Sequence, residues 1–101
     1  MPKPPYQPRP LDTQAIRLPE EILALSEPLA RNVHENWAAA RLREGWRYGA
    51  RRDDVHLLHP CLVPYDELPD AEKEYDRITA METLKTIIAL GYSLRREDQP
   101  T

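Results

Sequence analysis

Residues Glu35–Asp54 read ENWAAARLREGWRYGARRDD. Trp37 and Trp46, the only tryptophans of a chain without phenylalanine, both lie here, with Tyr48 and five arginines: Arg41, Arg43, Arg47, Arg51 and Arg52. Two readings fit so much aromatic surface and positive charge. The stretch is either the seam where the fold closes on itself or a pocket for something flat and negatively charged. Gly45 decides where the regular structure stops. It is the residue able to take a left-handed C-cap, and Trp46 behind it can fold back on the last helical turn.

N-terminal to that cap, Ile22, Leu25, Leu29, Val33, Trp37 and Ala40 recur at three- and four-residue spacing, which predicts one amphipathic helix. Pro19-Glu20-Glu21 suits its start, with carboxylates near the positive end of the dipole. Pro28 should kink it, or restart it with Ser26 as cap. Before it, Ala15–Leu18 reads as a short strand. C-terminal to the cap, Tyr48 to Asp54 reads as a loop, and Leu57–Pro64, broken by two prolines, as a buried extended segment. A second helix opens at Asp66 or Asp70. Its stripe is Tyr75, Ile78, Met81, Leu84 and Ile88, widened by Ile87, and Gly91 ends it with Tyr92 behind. Tyr92–Leu94 reads as a last short strand. The fold class is therefore mainly α: two amphipathic helices packed antiparallel, with small strands and a proline-rich connection across the seam.

Composition narrows the function. At 101 residues the chain is one domain, and one cysteine, Cys61, excludes an internal disulfide and points to a cytoplasmic home. No run of eighteen apolar residues exists, so no membrane partner is expected. Residues 1–52 carry nine Lys/Arg against six Asp/Glu, and residues 53–101 carry five against eleven, so a +3 half is joined to a −6 half. That balance argues against a nucleic acid polymer as partner, while leaving a basic patch for a single phosphate group.

His56, His59 and Cys61 form H-x2-H-x-C, but a closed metal site needs a second ligand pair and only His34 remains, so no metal or other cofactor is expected. Packing is the better role for Cys61. Ser26, Thr79, Thr83 and Thr86 have no histidine at a useful spacing, and three scattered glycines cannot make a phosphate loop, so no catalytic residue is assigned. The run Asp66, Glu67, Asp70, Glu72, Glu74, Asp76 reads as helix-dipole complementation on a solvated face. His34, Trp37 and Arg41 share one helix face. Trp46 and Tyr48 alternate after the cap, and Arg52 and Asp54 follow. These seven are the candidate ligand-binding residues: an aromatic platform edged by arginine for a nucleotide-like anion, with His34 and Asp54 as orienting groups. Burial as core anchors is the plainer role for Trp37 and Trp46, and both readings hold if the tryptophans line a cleft, half buried.

The ordered pattern Tyr6-x-Pro8-x-Pro10-x-Asp12-Thr13, Leu18-Pro19, Leu29-Ala30-x-Asn32-x-His34-Glu35-x-Trp37 and Gly45-Trp46-x-Tyr48-Gly49 resembles the RyR domain, the repeat of the cytosolic part of ryanodine receptor calcium-release channels. The resemblance continues through Arg52-Asp53-Asp54, His59-Pro60-Cys61-Leu62-Val63, Leu68-Pro69, Glu82–Lys85 and Ala89-Leu90-Gly91. It implies two long antiparallel helices with short strands and proline-rich segments packed on them. It also implies that the arm from Tyr6 packs along the surface, giving one domain over 6–94 between flexible tails at 1–5 and 95–101. A single repeat without a membrane span implies a stand-alone protein of the bacterial or phage kind, in which ligand or nucleotide sensing is the suggested role. The expected function is thus a non-enzymatic ligand-binding module. The alternative is a protein-interaction or dimerisation module using the same aromatics, and a metal- or cysteine-dependent enzyme comes third.

Overall fold

Prolines open two of the three helices of the described residues, and glycines close two. In the computed structural model, which describes residues 2–97, the elements are helix α1 (Glu20–Leu23), helix α2 (Ser26–Arg43), strand β1 (Arg47–Tyr48), strand β2 (Leu58–His59), a 3-10 turn (Tyr65–Glu67) and helix α3 (Asp70–Ala89). Pro19 and Pro69 hold the N-cap positions of α1 and α3 in extended conformation, and their carbonyls accept the first helical N–H bonds. At the other ends Gly45 has φ 96° and Gly91 φ 104°. Both ends carry the double bond of a Schellman cap. Trp46 N–H donates to Arg41 O and Gly45 N–H to Leu42 O, while Tyr92 N–H donates to Ile87 O and Gly91 N–H to Ile88 O.

Several expectations need correction. The first helix is two pieces, α1 and α2, separated at Ala24–Leu25. Ser26 begins α2 but makes no side-chain cap bond. Pro28 then falls in the first turn of α2, where a missing N–H leaves no bond unmade. Leu25 is exposed; the buried residues of α2 are Ala30 and His34. The inward face has turned by about one residue because Ala30, fully buried, lets Tyr65 approach the helix closely. In α3 Tyr75 and Ile78 are likewise exposed, and Ala80 is the buried residue. Neither Ala15–Leu18 nor Tyr92–Leu94 forms a strand. A strand needs a ladder partner; Thr13–Ile16 closes a turn instead, with Ile16 N–H on Thr13 O. Residues 2–12 are exposed throughout, Tyr6 to 86%, so packing begins at Thr13 rather than at Tyr6. Thr13 Oγ1–H donates to Glu82 Oε2 on α3 at 2.6 Å. The expected tails at 1–5 and 95–101 fall outside the described residues at 1 and 98–101.

Tyr48 belongs to a strand, not to the loop. β1 and β2 pair in parallel, with Arg47 opposite Leu58 and Tyr48 opposite His59. Parallel strands so near in sequence need a sharp return between them. Asp53 supplies it. Its Oδ1 accepts from Val55 N–H and His56 N–H, its Oδ2 lies 2.7 Å from His56 Nδ1, and its backbone exchanges two bonds with Leu58. Leu57 completes the return at φ 57°, a conformation rare for a branched residue. The expected long extended run is therefore only Leu58–His59, followed by a turn at Pro60-Cys61.

The core cluster is Ala30, Tyr65 and Leu68, with Cys61 and Val63 against it. Tyr65 is 1% exposed, and its hydroxyl donates to Glu27 Oε2 on α2, whose other oxygen accepts from Arg77 on α3. Arg31 and Asp66 form a two-bond pair across the same edge.

Two kinds of glycine can be separated by thermal melts. A Cβ at Gly45 or Gly91 meets only ordinary contact or open space, so Gly45→Ala and Gly91→Ala should each cost about 1 kcal/mol from the left-handed backbone alone. A Cβ at Gly49 would lie 2.7 Å from Leu58 Cβ and push β1 from β2. Gly49→Ala should therefore lower the melting temperature most. Equal shifts for all three would contradict the strand contact.

Candidate functional site

A cavity of about 290 Å³ opens between the helices and the irregular segment. Helix α2 contributes His34 and Trp37, α3 contributes Glu72, Tyr75 and Asp76, and the connecting segment contributes Arg52, His59, Cys61 and Leu68.

His59 is the hub. It meets Trp37 edge-on at 4.9 Å between ring centroids and Trp46 edge-on at 6.1 Å. Its Nδ1 accepts the N–H of Cys61 at 3.0 Å, so the remaining ring proton sits on Nε2. His34, 4% exposed, stacks on Trp37 at 5.6 Å and 28°. Its Nε2 lies 2.7 Å from Val63 O; a carbonyl only accepts, so Nε2 donates and Nδ1 is left as an acceptor.

Of the seven sequence candidates, the structure brings His34, Trp37 and Arg52 to the cavity wall. Trp46 is buried behind it. As the residue that closes the Schellman cap it folds onto the helix end, with the Arg41 and Arg52 guanidinium groups 5.8 and 5.9 Å from its ring centre. Arg41 is therefore also outside the cavity. Its Nε lies 3.3 Å from Glu44 Oε1, but it is inaccessible and the alignment is too poor for a hydrogen bond. Tyr48, 59% exposed, lines a different, shallow groove with Leu42, Leu62 and Pro64. Alternation did not carry from Trp46 to Tyr48 because the strand begins only at Arg47. Asp54 accepts from Arg52 at 2.8 Å on the exterior.

A family model for the RyR domain matches residues 6–96. The chain belongs to the RyR-domain family. In this RyR domain the cavity residues that sequence reasoning missed are His59, Cys61, Leu68, Glu72, Tyr75 and Asp76. One signal was available: Glu72, Tyr75 and Asp76 stand at i, i+3 and i+4 on one helix face. Glu72 and Asp76 belong to the acidic run that reads as a solvated face, and Tyr75 to the apolar stripe of the second helix.

The wall mixes charge, with Arg52, Glu72 and Tyr75 exposed and His59, Cys61 and Asp76 half buried. Burial raises the Asp76 carboxyl above its ordinary value, with Glu72 adding to the shift and His34 opposing it. Burial, then Glu72 and Asp76, raise the Cys61 thiol, which keeps it from being a thiolate. Among the described residues no group of three or more His, Cys, Asp or Glu is arranged to hold a metal ion. His56 is instead paired with Asp53.

His59 has its pKa lowered, first by burial and then by Arg52 and Arg41. The folded state thus resists the proton that the unfolded chain accepts below about pH 6.5. Stability should fall as pH drops from about 6.5 through the lowered folded value. His59→Gln should flatten that part of the pH profile in chemical denaturation. An unaltered slope between pH 6.5 and 5 would assign the loss elsewhere.

Proposed function

We propose that this RyR domain is a non-enzymatic ligand-binding module whose cavity takes the flat ring of a nucleotide-like molecule. The observation that carries the reading is the cavity itself: about 290 Å³, walled by Trp37, Tyr75, His34 and His59, with one arginine, Arg52, on its edge. That volume is near the lower end of ordinary small-molecule sites and suits one base. The aromatic faces offer stacking, worth about 1–3 kcal/mol per base.

Charge places the anionic part. Glu72 and Asp76 outnumber Arg52 along the cavity, so a phosphate is repelled from the interior and belongs at the rim, beside Arg52. A protonated Cys61 thiol beside two carboxylates suits a wall better than a nucleophile, which supports a binding role over catalysis. The lone cysteine fits a cytoplasmic setting. Among the described residues no helix is long and apolar enough to cross a membrane.

A second reading, protein interaction or dimerisation, has its own observation. Leu42 and Tyr48 are half exposed beside Leu62 and Pro64, in a groove separate from the cavity. Light scattering distinguishes it, since a dimer sensitive to Tyr48→Ala and indifferent to Trp37→Ala would favour that groove.

Titration with purine nucleotides should quench Trp37 and leave buried Trp46 as an internal reference. The melting temperature should rise with ligand concentration. Trp37→Ala should abolish the response, and Arg52→Ala should weaken it more at low salt than at high salt. Absence of both responses at millimolar nucleotide would defeat the ligand reading.

A further inference from the structure

The helix side of the cavity is rich in hydrogen-bond acceptors that the protein leaves unused. Glu72 and Asp76, one turn apart on α3, both line it, and neither side chain has a hydrogen-bond or ion-pair partner among the described residues. His34 is 4% exposed, and with Nε2–H committed to Val63 O its Nδ1 is a third acceptor without a protein partner. Three acceptors with no protein donor line one side of a cavity, so this wall favours a molecule that brings N–H donors. The opposite side supplies donors: the Nε2–H of His59 and the Arg52 guanidinium, of which Nε and one terminal nitrogen face Asp54.

Resting on the nucleotide reading above, we propose that the cavity selects guanine over adenine, with the Glu72/Asp76 wall accepting the N1–H and N2–H₂ edge. A carboxylate offers two acceptor oxygens side by side, and guanine presents two donors side by side. Its O6 and N7 acceptors lie along the adjoining edge, where arginine is the commonest partner. Adenine presents N1, an acceptor, to the same carboxylate, so lone pair faces lone pair and only the N6 amino group can donate. Asp76 is half buried and Glu72 exposed, so the distinction rests mainly on Asp76. Asp76 feels this most: burial disfavours its charge, His34 opposes that and Glu72 adds to it, and donors from a ligand offset the remaining cost.

The test compares guanosine, inosine and adenosine 5′-monophosphates by tryptophan quenching and thermal shift on the full chain. Guanosine monophosphate should bind about ten-fold or more tighter than adenosine monophosphate, with inosine monophosphate, which keeps N1–H and lacks the amino group, between them. Asp76→Asn replaces one acceptor by a donor, the arrangement adenine prefers, and should narrow or invert the preference. Asp76 has no partner to lose, so the variant is expected to fold; Glu72→Gln, nearer the solvent, repeats the test if it does not. Adenosine monophosphate binding as tightly as guanosine monophosphate, or a preference unmoved in both variants, overturns the guanine assignment and leaves ring binding standing. Silence towards all three nucleotides defeats both. A response to tetramethylammonium alone would do the same and make the aromatic walls an organic-cation site.

Discussion

The part-buried bond from His34 Nε2–H to the carbonyl of Val63 ties the backbone of the irregular half of the molecule to its helices, beside the side-chain bonds Tyr65–Glu27 and Arg31–Asp66. Between Trp46 and Leu68 the only strand pairing is two residues against two. Such a segment has few backbone ladders and must satisfy its polar groups through side chains. His34 does this from the middle of α2, where its ring is held between Trp37 and Tyr65 at 5.6 and 6.3 Å. A typical hydrogen bond contributes about 1 kcal/mol net, but leaving a buried partner unpaired costs more. The bond therefore selects one position of the segment rather than adding much to total stability. It also decides which nitrogen of His34 stays free.

The rest of the closure is aromatic and charged more than aliphatic. Ala30, Tyr65 and Leu68 make a small core, and Tyr65 is covered by the Arg31 and Lys73 side chains at 5.0 and 5.7 Å. Glu27 joins α2, the 3-10 turn and α3 by accepting from Tyr65 and Arg77. Glu27 itself is more than half exposed, so the ion pair adds little by itself, and its main effect is to orient Tyr65. Helix polarity is served along the way. Asp70 and Glu72 lie in the first turn of α3, where carboxylates are favoured, while Asp66 is committed to Arg31.

The two tryptophans have separate roles. Trp46 is structural: it closes the α2 cap, lies under two guanidinium groups and braces His59. Trp37 is half buried and forms cavity wall. The arginines divide in the same way. Arg41 is used up on Trp46, whereas Arg52 reaches both Trp46 and the cavity edge. A platform for a flat ring and a seam for the fold are thus built from one stretch of twenty residues, and the cap at Gly45 divides them.

Much of this was legible in the residues because it depends on neighbours in sequence. Periodicity located the two long helices, and glycine followed by an aromatic residue marked both of their ends, since a left-handed residue and the bonds behind it are local geometry. The ordered motifs placed the chain among RyR domains, and His34 and Trp37 were assigned to one helix face by spacing alone. What only the tertiary structure decided was which face turned inward, because that depends on how closely Ala30 and Ala80 let their neighbours approach. The parallel pairing of β1 and β2 also escaped, since it depends on the Asp53 turn and on Leu57 in a conformation its type rarely adopts. So did the company of His59, Glu72, Tyr75 and Asp76 around the cavity. Those residues are up to seventeen positions apart, and no local preference brings them together. Only the packing of α2, α3 and the segment between them does, which is why two carboxylates of an acidic run that reads as solvated surface line the candidate site.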